Sequence, residues 1–288
     1  MSAAATASLA AEAPRAISPW GVIAKTFLWA FLVCLGIVVL YPLLWMALGG
    51  FKNNAQIFDN PFALPEVWAW SNYVQAWNQG VRSYITTSLL VTVASGICTV
   101  LISAWTAYGL TRTRMPGKPI VVGFVLGGLM LSPTVAVIPL VKMMQALGLY
   151  NTAWSLVVLY TAFRIPFSTF LIRAYMLDLP RDVDEAARID GATESQIFWK
   201  ITLPLCRPII VSCMILHVLF AWNEYLFAMI FSGAKQTLPV GLTSIMAKHG
   251  TNYAVVFAAM TLSALPIVLV FFAAQRYFIR GLSEGIGK

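Results

Sequence analysis

Hydrophobic residues run through this chain in long blocks, and six near-uncharged blocks recur at the length a helix needs to cross a bilayer core, about 20 residues. They lie at approximately 26–48, 84–108, 119–141, 152–175, 208–231 and 254–277. Each is expected to be helical, because lipid offers no partner for an open backbone N–H or C=O. Polar connections separate them, the longest at 49–83, 178–207 and 232–253. The pattern predicts an all-α polytopic membrane protein with six transmembrane helices. It divides into an N-terminal tail (1–25), a membrane domain (26–277) that carries a two-helix loop at 178–207, and a C-terminal tail (278–288).

The first block exceeds the about 7–15 apolar residues of a secretory signal core, and no small-residue cleavage site follows it, so it is expected to stay as an anchor. Proline and glycine interrupt several blocks: Pro133 and Pro139 in the third, Pro166 in the fourth, Pro266 in the sixth. Each permits a kink, read either as a static bend or as a hinge. Trp68, Trp70, Tyr73 and Trp77 in the first long connection suit the headgroup level of a bilayer or an external partner.

Composition agrees with a lipid solvent: 59% of the 288 residues are hydrophobic and 10% charged. Basic residues then set an orientation. With the N-terminus in the cytoplasm, Arg15, Lys25, Arg112, Arg114, Lys118, Arg181, Arg188, Lys200, Arg207, Arg276, Arg280 and Lys288 lie inside, which is 12, against 5 outside (Lys52, Arg82, Lys142, Lys235 and Lys248). Both termini are therefore expected inside. The net charge of +8 reflects this asymmetry and does not call for nucleic acid. Cys34, Cys98, Cys206 and Cys213 have no metal-ligand spacing and read as packing residues.

The 178–207 loop holds 6 of the chain's 11 acids: Asp178, Asp182, Asp184, Glu185, Asp190 and Glu194. Pro180 suits a helix start, the early acids suit its positive end, and Gly191 is placed to stop it. Val183, Ala186 and Ala187 are expected on one face. Thr193 and Gln196 have capping-box spacing for a second helix, with Ile197, Phe198 and Ile201 on one side and Pro204 as its close. Six acids against four bases between Asp178 and Arg207 give −2, which disfavours a DNA-binding helix-turn-helix. A plain amphipathic connector and a rigid knob for a cytoplasmic partner are the other readings.

This loop resembles the one shared by membrane subunits of binding-protein-dependent ABC importers: Glu-Ala-Ala, three residues, Gly, nine residues, Ile-x-Leu-Pro. The match falls at Glu185, Ala186, Ala187, Gly191, Ile201, Leu203 and Pro204. Asp190-Gly191-Ala192, Gly148 to Thr152 and Trp222-Asn223-Glu224-Tyr225 look like maltose-type sugar permeases. The resemblance implies a prokaryotic inner-membrane permease for a sugar or oligosaccharide, with this loop docked on an ATPase. It implies as partners a second permease, two ATPase copies and an extracytoplasmic sugar-binding protein. It also implies that the C-terminal tail reaches between the ATPases, where a frayed end is the other reading.

The chain has no phosphate-binding loop, since Gly117-Lys118 is followed by Pro119 and lacks the upstream glycine. His217 and His249 stand in no metal or nucleophile arrangement, so neither catalysis nor a cofactor is expected. Ionisable groups inside membrane blocks call for an explanation, and here they are Arg164, His217 and Glu224. Arg164 and Glu224 either pair to hold helices together or line a path with Tyr160, Trp222 and Asn223. An ion-coupled secondary transporter and a membrane-anchored scaffold or receptor are the alternatives from other classes. No repeated half, as such transporters often show, is visible.

Overall fold

The computed structural model describes residues 19–286, and the expected N-terminal tail lies largely outside them. Among the described residues every regular element is a helix. Helix α1 (Pro19–Gly49) is already helical ahead of the expected start at residue 26. The connection that follows holds α2 (Asn54–Asp59) and α3 (Trp70–Ala76), and a wide turn at Trp77–Val81 leads into α4 (Arg82–Arg112). Then come α5 (Lys118–Met130), α6 (Val137–Ala146) and α7 (Ala153–Asp178). The acidic loop forms α8 (Asp182–Ile189), α9 (Glu194–Ile197), a wide turn at Phe198–Thr202 and the short α10 (Leu203–Leu205). The chain closes with α11 (Arg207–Asn223), α12 (Leu226–Phe231), α13 (Leu238–His249) and α14 (Tyr253–Ile286).

Among the described residues four helical stretches are long and apolar enough to cross a membrane: Ile23–Gly49, Trp70–Arg112, Ala153–Asp178 and Tyr253–Ala273. A fifth is the pair Glu194–Leu205 and Arg207–Asn223, bent by 75°. The expected third block is not one helix. It breaks after Met130, where Leu131 turns extended (ψ 120°), and resumes at Val137. Pro133 suits the break: it lacks an N–H to continue a helix, and helices usually end at or before the residue that precedes a proline. The expected fifth block likewise stops at Asn223 and restarts at Leu226. At the other extreme α14 runs through Ile286, so residues 278–286, expected as a separate tail, continue the last helix.

Helices α4 and α7 run parallel. One cluster joins Val91 of α4 with Leu156 and Tyr160 of α7, and another joins Tyr108 of α4 with Ile172 and Met176 of α7. The chain between them must therefore travel back the length of the pair, and α5 and α6 make that return. Their contact with α7 is close at Gly128, where a Cβ would meet Pro166 Cγ at 2.9 Å. A stripe of small polar residues down α4, namely Ser88, Thr92, Ser95, Thr99 and Ser103, is almost fully buried. Such residues let helices approach closely in lipid, where no hydrophobic effect draws them together.

The two long connections are folded rather than loose. Lys52 is 2% exposed and donates to the carbonyls of Asn60 and Pro61. Tyr73 donates to Ala47 O at 2.7 Å and packs on Phe51, while Trp68, Trp70 and Trp77 face outward. In 232–253, α13 lies against the start of α4: Ser88 Oγ accepts Leu238 N–H at 2.8 Å, and Gly241 lies against the Tyr84 ring with no room for a Cβ.

Candidate functional site

The acidic loop is a hairpin of two short helices. Helix α8 ends in a left-handed glycine, Gly191 at φ +82°, with Gly191 N–H donating to Arg188 O (3.1 Å) and Ala192 N–H to Ala187 O (3.0 Å). These paired bonds use up carbonyls that a helix end otherwise leaves unmatched. Helix α9 opens with the expected capping box: Gln196 N–H donates to Thr193 Oγ1, and Thr193 N–H donates to Gln196 Oε1 at 2.9 Å.

The hairpin is fixed to the membrane helices by charge and by apolar packing. Asp184 is 3% exposed; its carboxylate lies 3.1 Å from Arg112 Nε and accepts from Thr202 Oγ1 at 3.3 Å. Arg112, the last residue of α4, also donates to the carbonyls of Met176 and Leu179, so one guanidinium gathers the ends of α4 and α7 with the hairpin. Arg188 grips Glu194 with two nitrogens, at 2.8 and 3.2 Å, and Tyr108 donates to the same carboxylate at 2.6 Å. The Arg188 guanidinium, and next the Tyr108 hydroxyl, hold the Glu194 carboxyl below its usual range. Ile197 and Phe198 are buried against Tyr108, Ile172 and Met176. The wide turn at Phe198–Thr202 follows, and it carries Thr202 to Asp184.

This attachment sets which residues point away. The inward positions of α8 are Asp184, Ala187 and Arg188, at i, i+3, i+4 spacing; Ala187 packs on the cluster beneath. Glu185, Ala186 and Ile189 are exposed, Ile189 at 87%. Of the face expected from Val183, Ala186 and Ala187, Val183 and Ala186 are exposed together, while Ala187 turns to the buried side beside Asp184. A methyl group added at Gly191 would meet nothing within 4 Å, so the glycine's place follows from its backbone angle. Ile201 and Leu203 are half-buried and Pro204 is exposed.

Within the membrane helices, the Arg164 and Glu224 side chains do not pair. Glu224 lies in the gap between α11 and α12: it accepts the Phe227 and Ala228 N–H groups at 2.8 and 3.0 Å and the Tyr160 hydroxyl at 2.6 Å. It therefore caps α12 and ties it to α7. Arg164 lies between two rings, its guanidinium carbon 4.7 Å from the Phe167 centroid and 5.0 Å from that of Phe220. Trp222 is 6% exposed, whereas Asn223 is exposed and donates to Leu219 O. His217 is fully buried, with Nε2 2.8 Å from Ser95 Oγ, so it braces α11 against α4.

The loop's acids stand out in the sequence as a group, but the pairs they make do not. Arg112, Tyr108 and Thr202 carry no local signal, because their partners lie 18 to 86 positions away along the chain. The hydroxyl stripe of α4 is visible as polar residues at spacings of three and four.

Comparison with known proteins bears on the same residues. Residues 100–284 match the family described as binding-protein-dependent transport system inner membrane component. The chain is 44% identical over 268 residues to the probable ABC transporter permease protein YurM of Bacillus subtilis (strain 168), covering 92% of this chain and 89% of that protein. It is 33% identical to the diacetylchitobiose uptake system permease protein NgcG of Streptomyces coelicolor, covering 89% and 86%. Among solved structures, a chain of a bacterial ABC transporter that imports the acidic polysaccharide alginate superposes with a TM-score of 0.78 at 23% identity, over 92% of this chain and 99% of that one.

Proposed function

The chain belongs to the family of binding-protein-dependent transport system inner membrane components, and from that membership we propose that it is the permease subunit of an importer for a sugar or oligosaccharide. ATP hydrolysis belongs to a separate ATPase subunit, and this chain is not itself an enzyme. The carbohydrate assignment is supported by relatives named for diacetylchitobiose, arabinooligosaccharides and α-glucosides. With a second permease it would enclose the path, and two ATPases and an extracytoplasmic binding protein would complete the complex.

In this reading the membrane is crossed six times, by α1, α4, the broken pair α5–α6, α7, the pair α11–α12 and α14, with both termini in the cytoplasm. The parallel run of α4 and α7 supports counting α5–α6 as a crossing, since the chain must return between them. The hairpin at 185–204 then lies on the ATPase side, and one observation carries the function assigned to it. Its inner face is locked to α4 and α7 through Asp184 and Glu194, while Glu185, Ala186 and Ile189 face outward for a partner. A docked ATPase that moved would drag the ends of both helices with it. Ala187 and Leu203 pack the knob onto the cluster beneath, Ile201 is half-buried, and Gly191 turns it; Pro204, expected to close the second helix, lies within a helical stretch that runs to Leu205 before the 75° bend into α11.

Closure of the ATPases on ATP would thus tilt α4, α7 and α11 together and switch the path between its two openings. Asn223, Glu224 and Arg164 are the polar groups proposed to border that path, with Tyr160 and Trp222, both expected there, buttressing them from within the core. The test is uptake by vesicles reconstituted with all subunits. We expect ATP-dependent, vanadate-sensitive sugar uptake that Ala186→Trp abolishes along with ATPase co-purification. Uptake driven by an ion gradient and indifferent to vanadate would establish the secondary-transporter reading instead.

A further inference from the structure

We propose that the inner end of α4, α5 and α7 forms a binding site for one anionic phospholipid, its phosphate held by Arg114, Lys118 and Arg181 and an acyl chain lying along α5. A cleft of about 600 Å³ opens between the α4–α5 connection and the hairpin, lined by these three bases together with Arg112 and Arg188. Arg112 is committed to Asp184, and Arg188 to Glu194. Arg114, Lys118 and Arg181 make no ion pair among the described residues. Against them the cleft holds a single uncommitted acid, Glu185. An excess of uncommitted cations at the cytoplasmic edge of a membrane helix attracts anionic headgroups.

A second feature separates a lipid from a soluble phosphate. Beyond the cleft a narrow apolar slot of about 40 Å³ is lined by Val122, Val125 and Leu126 of α5, with Leu110, Phe170 and Arg173 opposite. Val122, Val125 and Leu126 follow Lys118 at i+4, i+7 and i+8, so the slot continues on the face of α5 that opens at the cleft. Arg173 Nε is buried there with no hydrogen-bond partner. The cationic cleft and the apolar slot are therefore arranged in the order of a phospholipid's headgroup and chain. The leaflet assignment rests on the orientation proposed above.

The test uses the assembled complex in nanodiscs of phosphatidylcholine with or without phosphatidylglycerol, which present both membrane faces, so the result does not depend on orientation. Native mass spectrometry reads retained phosphatidylglycerol. Replacing one base is expected to lower its affinity about fivefold, and Arg114→Gln/Lys118→Gln/Arg181→Gln together about a hundredfold. Lys142→Gln, outside the cleft, should change nothing. Val125→Trp fills the slot, leaves every cation in place, and should also release the lipid. Unchanged retention in the triple variant overturns the proposal. So does binding of soluble glycerol phosphate that Val125→Trp leaves intact, or loss of the ATPase from the triple variant with lipid retained. Cysteine labelling at position 118 from the outside would refute the orientation while leaving the lipid site standing.

Discussion

Arg112 Nε and Asp184 Oδ2 lie 3.1 Å apart with side chains only 4% and 5% exposed, so the last residue of α4 is bound to the third residue of the hairpin's first helix through a buried ion pair. The N–H is not aimed squarely at the oxygen, and the pair acts through charge more than through a well-aligned hydrogen bond. Removing one partner leaves the other charge buried and unmatched, a loss of about 3–5 kcal/mol. Asp184→Asn is therefore expected to lower the thermal midpoint of the complex and to weaken coupling between ATP hydrolysis and uptake. Arg112→Met with Asp184→Leu removes both charges and should recover part of the thermal stability, the rest being lost with the Met176, Leu179 and Thr202 hydrogen bonds. If the coupling defect persists in that double variant, the pair transmits motion as well as holding the fold.

Glu194 adds a pH dependence whose sign follows from its partners. Its carboxyl is held below the usual glutamate range by Arg188 and then by Tyr108. A depressed carboxylate contributes stability that is present above the unfolded value and is lost as pH falls through the lower, folded one. The hairpin should therefore loosen only in the acid range below about 4.3 and hold its grip across the neutral range. Hydrogen exchange of the α8 and α9 amides, followed from pH 6 down to about 3.5, should show this loosening. In Glu194→Gln the acid step should disappear and exchange should be faster throughout. An identical acid step in that variant would assign the effect to another group.

How far the sequence revealed the structure can be seen in these same elements. The capping box at Thr193 and Gln196 and the stop at Gly191 are local signals, written within a few residues, and both form as expected. The break in the third apolar block was announced by Pro133, but hydropathy alone cannot tell a kink that neighbours mend from a true interruption. Pro166 lies inside an unbroken α7, and Pro133 ends a helix. The buried side of α8 was not legible, because Asp184 meets Arg112, far away along the chain on α4. Nor was the fate of Glu224: three donors from α7 and α12 surround it, and only the folded chain brings them together.

Gly191 separates two explanations of the hairpin's glycine. Its φ of +82° is unfavourable for a β-branched side chain, at about 1–3 kcal/mol, while the space around it within this chain is open. Gly191→Val should disturb the turn and shorten α8, visible as faster proteolysis of the loop. Gly191→Asn tolerates the left-handed angle and should leave the loop protected. If ATPase co-purification is nevertheless lost with Asn, the partner approaches the backbone closely at this point. Full retention would mean that the glycine is needed only for the turn.

Glu224 allows a cap and a substrate contact to be told apart. The Glu224→Ala variant loses the acceptor for the Phe227 and Ala228 N–H groups, about 1 kcal/mol, and strands the Tyr160 hydroxyl, about 1–3 kcal/mol more. Helix α12 spans six residues and Glu224 receives the N–H groups of its first turn, so the alanine variant should be less stable and poorly active. Glu224→Gln keeps one oxygen, which can serve the Ala228 N–H and the Tyr160 hydroxyl, but turns its NH2 toward the Phe227 N–H, so it loses the charge and one cap bond. Tyr160→Phe keeps the charge and the cap and has no phenol. If Glu224 serves only the fold, glutamine should transport with an unchanged apparent KM, and phenylalanine should cost some stability alone. If Glu224 also borders the path, the glutamine variant should lose no more stability than one cap bond and yet raise KM or lower the maximal uptake rate. Thermal stability and uptake kinetics measured on the same three preparations decide between the two, because a purely structural residue moves both readouts together.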